Sequence, residues 1–166
     1  QRQMCIRDRV FPPRAIGILL GLQASQTPFS GCPTFKKLND LPLAEKVAKL
    51  KDPAIREQIL SEDPVKESTF PLIHRMSYKY MFPFTDKNYQ PQENESMEAK
   101  AEGSNATAAE LAYDWLVDNN GKNFLYMPIT NYSDFSLSAS EKLLGEKMAI
   151  MGLGDGGAHV GFILDA

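Results

Sequence analysis

Residues 148–159 read Met-Ala-Ile-Met-Gly-Leu-Gly-Asp-Gly-Gly-Ala-His. The first four residues are apolar and indicate a short buried strand, which passes directly into a glycine-rich loop. Asp155 is the acidic residue of this loop. In parallel α/β proteins the active site lies at the carboxyl ends of the strands, so this position predicts a catalytic carboxylate. The spacing of the residues alone gives equal support to an alternative, in which Asp155 only caps a following helix.

Two other segments have the pattern of buried strands. Residues 15–22 are apolar throughout and are bounded by Pro13 and Gln23, which is typical of a strand in a parallel sheet. Residues 124–127 form a second such strand, which we expect Pro128 to interrupt. The order strand, helical insertion, strand, helix, strand predicts an α/β protein with a parallel sheet.

The segments between these strands are mostly helical in pattern. The strongest pattern covers residues 104–118, and Asn119-Asn120-Gly121 supplies its stop signal. Weaker patterns predict a helix over 41–50, with Leu43, Val47 and Leu50 on one face, a helix started by Asp52-Pro53 with Ile55, Ile59 and Leu60 inward, and a helix over 138–147 with Leu143 and Leu144 inward. Residues 23–38 and 85–103 have the composition of loops.

The composition is that of a globular protein, with 43% hydrophobic and 23% charged residues among 166. A net charge of -3 gives no electrostatic case for nucleic acid, and no apolar run is long enough to cross a membrane. Two cysteines provide no disulfide framework, so we expect a cytoplasmic protein. Residues 1–9 have no structural period and are expected to be a non-native, adaptor-derived tract. The fold is then assigned to residues 10–166, with an insertion at about 24–122.

Two other functions are compatible with the pattern. Gly152, Gly154 and Gly157 match the dinucleotide-binding spacing G-x-G-x-x-G, although a lone match is a weak signal and Asp155 would face the pyrophosphate. This alternative is a nucleotide-binding α/β module. A third hypothesis is a non-catalytic interaction domain, in which the helical segment 41–60 binds a partner.

The loop at residues 152–161, Gly-Leu-Gly-Asp-Gly-Gly-Ala-His-Val-Gly, resembles the last-strand motif of the N-acyl-D-amino-acid deacylase (D-aminoacylase) branch of the metal-dependent amidohydrolase superfamily. Further motifs follow in the order seen in that branch, and the resemblance covers about residues 10–166. The Asp-Gly-Gly-Ala-His run is fairly specific, whereas the others contribute mainly by their order. These other motifs are Ala15 to Leu22, Pro28-Phe29-Ser30, Leu41 to Val47, and Asn123 to Tyr132.

The resemblance implies the C-terminal part of a (β/α)₈ TIM-type barrel with a largely helical insertion. It implies a hydrolase of non-peptide C–N bonds, acting on a small-molecule N-acyl amino acid or related amide with zinc as cofactor. Asp155 matches the aspartate that contacts the metal and shuttles a proton from the metal-bound water to the leaving amine. The other metal ligands of that branch are absent from this chain, so the resemblance implies an incomplete enzyme that is inactive as a fragment.

Five residues are candidates for contact with substrate: His159, Gly156, Gly157, Asn131 and Tyr132. For His159, a loop histidine bonded to a backbone carbonyl is an equally good interpretation. Asn131 and Tyr132 follow a strand end, where an ordinary turn is at least as good an explanation.

Two further reactive side chains are interpreted as structural. His74 is expected to be a satisfied structural histidine. Cys32 lies in a Pro/Gly loop with no paired base nearby in sequence, which argues against a nucleophile. The aromatic stretch Tyr78, Tyr80, Phe82 and Phe84 alternates as a strand does and is expected to pack under a lid.

Overall fold

The computed structural model describes residues 9–66, 71–75, 77–86, 88–147, 149–152 and 163–165. Within these ranges the chain forms strands and helices, which confirms a mixed α/β protein. The strands are β1 (Arg9–Phe11), β2 (Ile16–Gly21), β3 (Phe82–Pro83), β4 (Phe124–Thr130), β5 (Ala149–Met151) and β6 (Ile163–Asp165). The helices are α1 (Pro33–Lys36), α2 (Leu43–Leu50), α3 (Pro53–Ser61), α4 (Pro71–Arg75), α5 (Met97–Glu102), α6 (Ala108–Gly121) and α7 (Ser138–Leu144).

The described strands form two sheets, one antiparallel and one parallel. One has the order β3-β4-β2-β6, and each of its pairs is antiparallel. The other is the parallel pair of β1 with β5. The expectation of a parallel sheet is therefore wrong for β2 and β4. Both strands are largely buried and apolar. A strand of a parallel sheet and a strand of an antiparallel sheet share this composition when both faces of the sheet are covered.

The core lies between the antiparallel sheet and the helices. Leu20 of β2 and Leu125 of β4 are completely buried, and Val47 of α2 and Leu116 of α6 pack into the same cluster. Buried polar groups also join the elements: the Tyr113 hydroxyl donates to the Leu50 carbonyl at 2.9 Å, which ties α6 to α2. The predicted inward faces of α2 and α3 are confirmed, since Leu50 and Ile59 are buried and their neighbours pack against the core.

The helix start and stop signals also act as the sequence indicates. The Asp52 carboxylate accepts from the Ala54 amide at 2.9 Å at the start of α3. Thr107 and Glu110 form a reciprocal capping box at the start of α6. Residues 118–120 leave the helical conformation, and Gly121 has a φ of 74°. This left-handed turn brings the chain back toward β4.

Four local expectations are wrong. Pro128 does not interrupt β4, which continues to Thr130, and part of the expected loop 85–103 is helix α5. Part of the expected loop 23–38 likewise forms the short helix α1. In the aromatic stretch only Phe82–Pro83 is a strand, because Tyr78–Tyr80 forms a 3-10 turn.

The C-terminal helix is also shorter and less buried than its pattern suggests. It ends at Leu144, and that side chain is 54% exposed rather than inward. Leu143, by contrast, is partly buried. In the part of the chain that the structure describes, no helix is long and apolar enough to span a membrane.

Gly121 provides a test of the turn after α6. A Cβ atom at Gly121 would lie 2.7 Å from Val47 Cγ2, on a backbone of positive φ that L side chains rarely adopt. We expect Gly121→Ala to lower the free energy of unfolding by about 2 kcal/mol in urea denaturation.

Gly145→Ala is the matched control for this substitution. Gly145 has an ordinary right-handed conformation with a φ of -78°, and its added Cβ would make only a van der Waals contact with the Lys142 carbonyl at 3.5 Å. Its stability should change by less than about 0.5 kcal/mol. Equal losses in the two variants would show that the left-handed turn is not the cause.

Candidate functional site

The parallel pair β1–β5 defines the strand edge that precedes the glycine loop. Arg9, Val10 and Phe11 lie opposite Ala149, Ile150 and Met151. The pairing extends one residue further, because the Gly152 amide donates to the Phe11 carbonyl at 3.0 Å. The carboxyl ends of the two strands therefore coincide.

Asn131 lies at this same edge. It is exposed, has a left-handed φ of 60°, and its Nδ2 approaches the Pro12 carbonyl at 3.5 Å. Pro12 directly follows β1, so the residue after β4 meets the residue after β1. The structure thus brings one predicted substrate contact beside the carboxyl end of the β1–β5 pair, while its role in binding stays a prediction.

Tyr132 has a different environment from its neighbour. It is only 2% exposed, and its hydroxyl donates to the Pro91 carbonyl at 3.0 Å. Burial raises the pKa of this phenol, and the nearby carboxylates of Glu95 and Asp134 act in the same direction. Because the hydroxyl is neutral and already bonded to the backbone, this geometry describes a residue that holds the loop after β4.

The remaining site predictions fall in the glycine loop. Asp155, Gly156, Gly157 and His159 lie outside the described residues, so their roles stay predictions. Among the described residues, no three His, Cys, Asp or Glu side chains converge on a point where they could hold a metal ion. The zinc cofactor therefore stays a prediction.

Cys32 and His74 line a small cavity of about 220 Å³ together with Tyr78. Cys32 is completely buried, and this burial, with Glu62 as a second cause, raises the pKa of its thiol to about 12. A thiol that stays protonated is a poor nucleophile, in agreement with the interpretation from sequence.

The imidazole of His74 is hydrogen-bonded through one of its two ring nitrogens. Its Nδ1 donates to the Pro28 carbonyl at 2.9 Å, and its Nε2 is buried without a hydrogen-bond partner among the described residues. Burial lowers the pKa of His74. The hydrogen bond to Pro28 opposes this shift, and the positive charge of Lys36 reinforces it. The fold therefore favours the neutral imidazole.

This geometry predicts how stability depends on pH. The unfolded state binds a proton at His74 more readily than the folded state, so the free energy of unfolding should fall as the pH drops below about 6.5. The slope from this residue should be at most about 1.4 kcal/mol per pH unit. His74→Asn can still donate to Pro28 but does not titrate, so it should flatten the profile measured by urea denaturation at several pH values.

The same substitution at His159 is the control for this experiment. His159→Asn removes the other histidine of the chain and should leave the acid-dependent loss of stability in place. If His159→Asn flattens the profile and His74→Asn does not, the assignment to His74 is wrong.

A larger groove of about 770 Å³ runs along the exposed side of α6 and was not indicated by the sequence. Arg56 at its wall makes two hydrogen bonds to Asp114, at 2.8 and 2.9 Å. Among the described residues, the groove lining contains neither histidine nor cysteine. The ion pair of Arg56 with Asp114 joins two of its charged groups.

The chain was compared with protein-family models, curated proteins and solved structures. No family model, curated protein or solved structure matches it significantly. A functional proposal therefore depends on the chain's own motifs and on the geometry of its described residues.

Proposed function

We propose that this chain is part of a metal-dependent amidohydrolase that hydrolyses the C–N bond of an N-acyl amino acid or a related amide. The observation that supports this most is the parallel pairing of β1 with β5, whose carboxyl ends meet at the hydrogen bond between Gly152 and Phe11. Asp155 follows Gly152 by three residues in the sequence. This is the placement that a catalytic carboxylate has in parallel α/β enzymes.

The same pairing supports a part of a (β/α)₈ barrel. Consecutive barrel strands are parallel neighbours, and β1 and β5 fit two such strands. Under this proposal β2, β3 and β4, which lie between β1 and β5 in the chain, belong to the insertion, which then begins before β2. β6 follows β5 and adds an edge strand to the sheet of the insertion. Residues 15–22 would not form a barrel strand, and their antiparallel partners β4 and β6 would need no place in the barrel.

In the proposed reaction, Asp155 moves a proton. Its carboxylate accepts the proton of the attacking water and then donates it to the nitrogen of the leaving amine, as a general base and then a general acid. Asn131 lies at the same edge with an exposed amide, and in this proposal the N–H that does not donate to Pro12 donates to the substrate. Zinc would acidify the water when bound, with its remaining ligands supplied by segments outside this chain.

The alternatives are less well supported. In a dinucleotide fold the glycine loop opens a crossover helix, which needs at least about ten residues. Only five residues separate Gly157 from the start of β6 at Ile163, and β6 pairs antiparallel with β2. An interaction domain would need the apolar face of α2 to be free, but Val47 and Leu50 are buried in the core.

The test is Asp155→Asn in the full-length parent protein. We expect kcat/KM for N-acyl amino acids to fall by about 100-fold or more, because the proton acceptor is lost. The zinc content, measured by atomic emission, should be retained. Undiminished turnover in this variant would refute the proposal.

Asp134→Asn is the matched control. Asp134 is exposed and lies in the loop after β4, so the variant removes the same charge from a nearby surface position. Its kcat/KM should stay within about twofold of the unchanged protein. A loss equal to that of Asp155→Asn would indicate a general effect of charge.

A further inference from the structure

A polar cavity of about 370 Å³ lies between α2 and the loop that follows β2. Its size is in the range of pockets for small molecules. Among the described residues that line it are one cation and several hydroxyl and amide groups, and no carboxylate. The lining residues are Leu22, Gln23, Ala24, Ser25, Thr27, Ser30, Phe35, Asn39 and Lys46.

The cation of this cavity is Lys46, which is only 7% exposed. Lysine is almost never buried to this extent unless it is paired. Burial lowers the pKa of Lys46, and the carboxylate of Asp40, which is exposed and does not line the cavity, acts in the opposite direction. The ammonium group is thus held in the protein with part of its hydration removed.

The described residues satisfy only part of the hydrogen-bonding capacity of this ammonium group. It carries three N–H donors. One donates to Asn39 Oδ1 at 3.2 Å, and the nitrogen lies 4.9 Å from the centre of the Phe35 ring. Within the described part of the chain, the ammonium group of Lys46 makes no other hydrogen bond. Donor capacity therefore remains on a buried charge that borders a cavity.

The loop that contributes Thr27 and Ser30 to the lining is organised by its own hydroxyl groups. The Thr27 amide donates to Ser30 Oγ at 2.6 Å, and the Ser30 hydroxyl donates back to the Thr27 carbonyl at 3.0 Å. Thr27 Oγ1 also accepts from the Phe29 amide at 3.1 Å. The hydroxyl hydrogen of Thr27 can point to Ser30 Oγ, which lies 3.3 Å from Thr27 Oγ1, or toward a ligand. These hydrogen bonds within the loop hold Thr27 and Ser30 at the lining of the cavity.

We propose that this cavity binds a phosphoryl oxyanion, with Lys46 as its charged contact and the Thr27 hydroxyl as a second donor. This proposal does not depend on the amidohydrolase proposal. A lysine binds phosphate as a point charge, whereas arginine is the usual choice for planar, bidentate binding of a carboxylate. Hydroxyl donors suit the tetrahedral arrangement of phosphate oxygens.

The experiment measures binding of inorganic phosphate to the whole chain by isothermal titration calorimetry. Acetate and chloride at the same ionic strength serve as the comparison anions. We expect phosphate to bind more tightly than acetate, and to raise the Tm with concentration, as a ligand of the folded state does. In Lys46→Met the Kd for phosphate should be weaker by at least about tenfold, because a charge-assisted hydrogen bond is lost.

Lys49→Met is the matched control, since Lys49 is exposed on the same helix and its replacement removes the same charge. It should bind phosphate as the unchanged chain does. Lys46→Met should remain folded in phosphate-free buffer, because an apolar side chain of similar length replaces a buried charge. If it does not fold, acetylation of the unchanged chain followed by mass spectrometry decides: phosphate should protect Lys46 relative to Lys49.

Three results would overturn the proposal. The first is no difference between phosphate and chloride in binding or in protection of Lys46. The second is equal weakening in Lys46→Met and Lys49→Met, which would indicate a general charge effect. The third is acetate binding as tight as phosphate, which would make the cavity a carboxylate site.

Discussion

The antiparallel pairing of β2 with β4 is the contact on which the described fold depends. It joins two strands that lie far apart in the chain. These two strands are the inner pair of the sheet, with β3 beside β4 and β6 beside β2. Gly17 makes this pairing possible, because any Cβ atom there would collide with the ring of Tyr126 on the neighbouring strand. The absence of a side chain at position 17 thus leaves room for the ring of Tyr126.

The helices are held to this pair of strands by both apolar and polar contacts. The Trp115 indole donates to the Phe124 carbonyl at 2.8 Å, and Asn123 Nδ2 donates to the Trp115 carbonyl at 3.0 Å, so α6 is bonded to the start of β4. These bonds satisfy polar groups that would otherwise be costly to bury. They also set the position at which β4 enters the sheet.

The two candidate sites use different parts of this arrangement. The proposed catalytic edge is built from the short parallel pair β1–β5, next to the residues that follow β4. The proposed oxyanion cavity lies at the opposite end of β2, where the chain turns away after Gly21. A strand of the central sheet thus separates the two sites, so each can be altered without changing the contacts of the other.

Local signals in the sequence determined most of the helices and the positions of the main strands. The acid-proline start at Asp52, the capping box at Thr107 and the left-handed turn at Gly121 act within a few residues, so they are readable without knowledge of the fold. The glycine loop around Asp155 and the motifs that resemble the D-aminoacylase branch are likewise properties of the sequence alone.

Strand direction, partner choice and the burial of Lys46 were decided only by the tertiary structure. An apolar strand such as β2 can pair equally well with a parallel or an antiparallel neighbour. Pro128 is tolerated in β4, although proline usually ends a strand. Lys46 lies in an amphipathic helix where lysine is ordinarily exposed, and only the approach of Phe35 and Asn39 covers it. These features depend on contacts between separate elements of the fold, and local periodicity contains no information about such contacts.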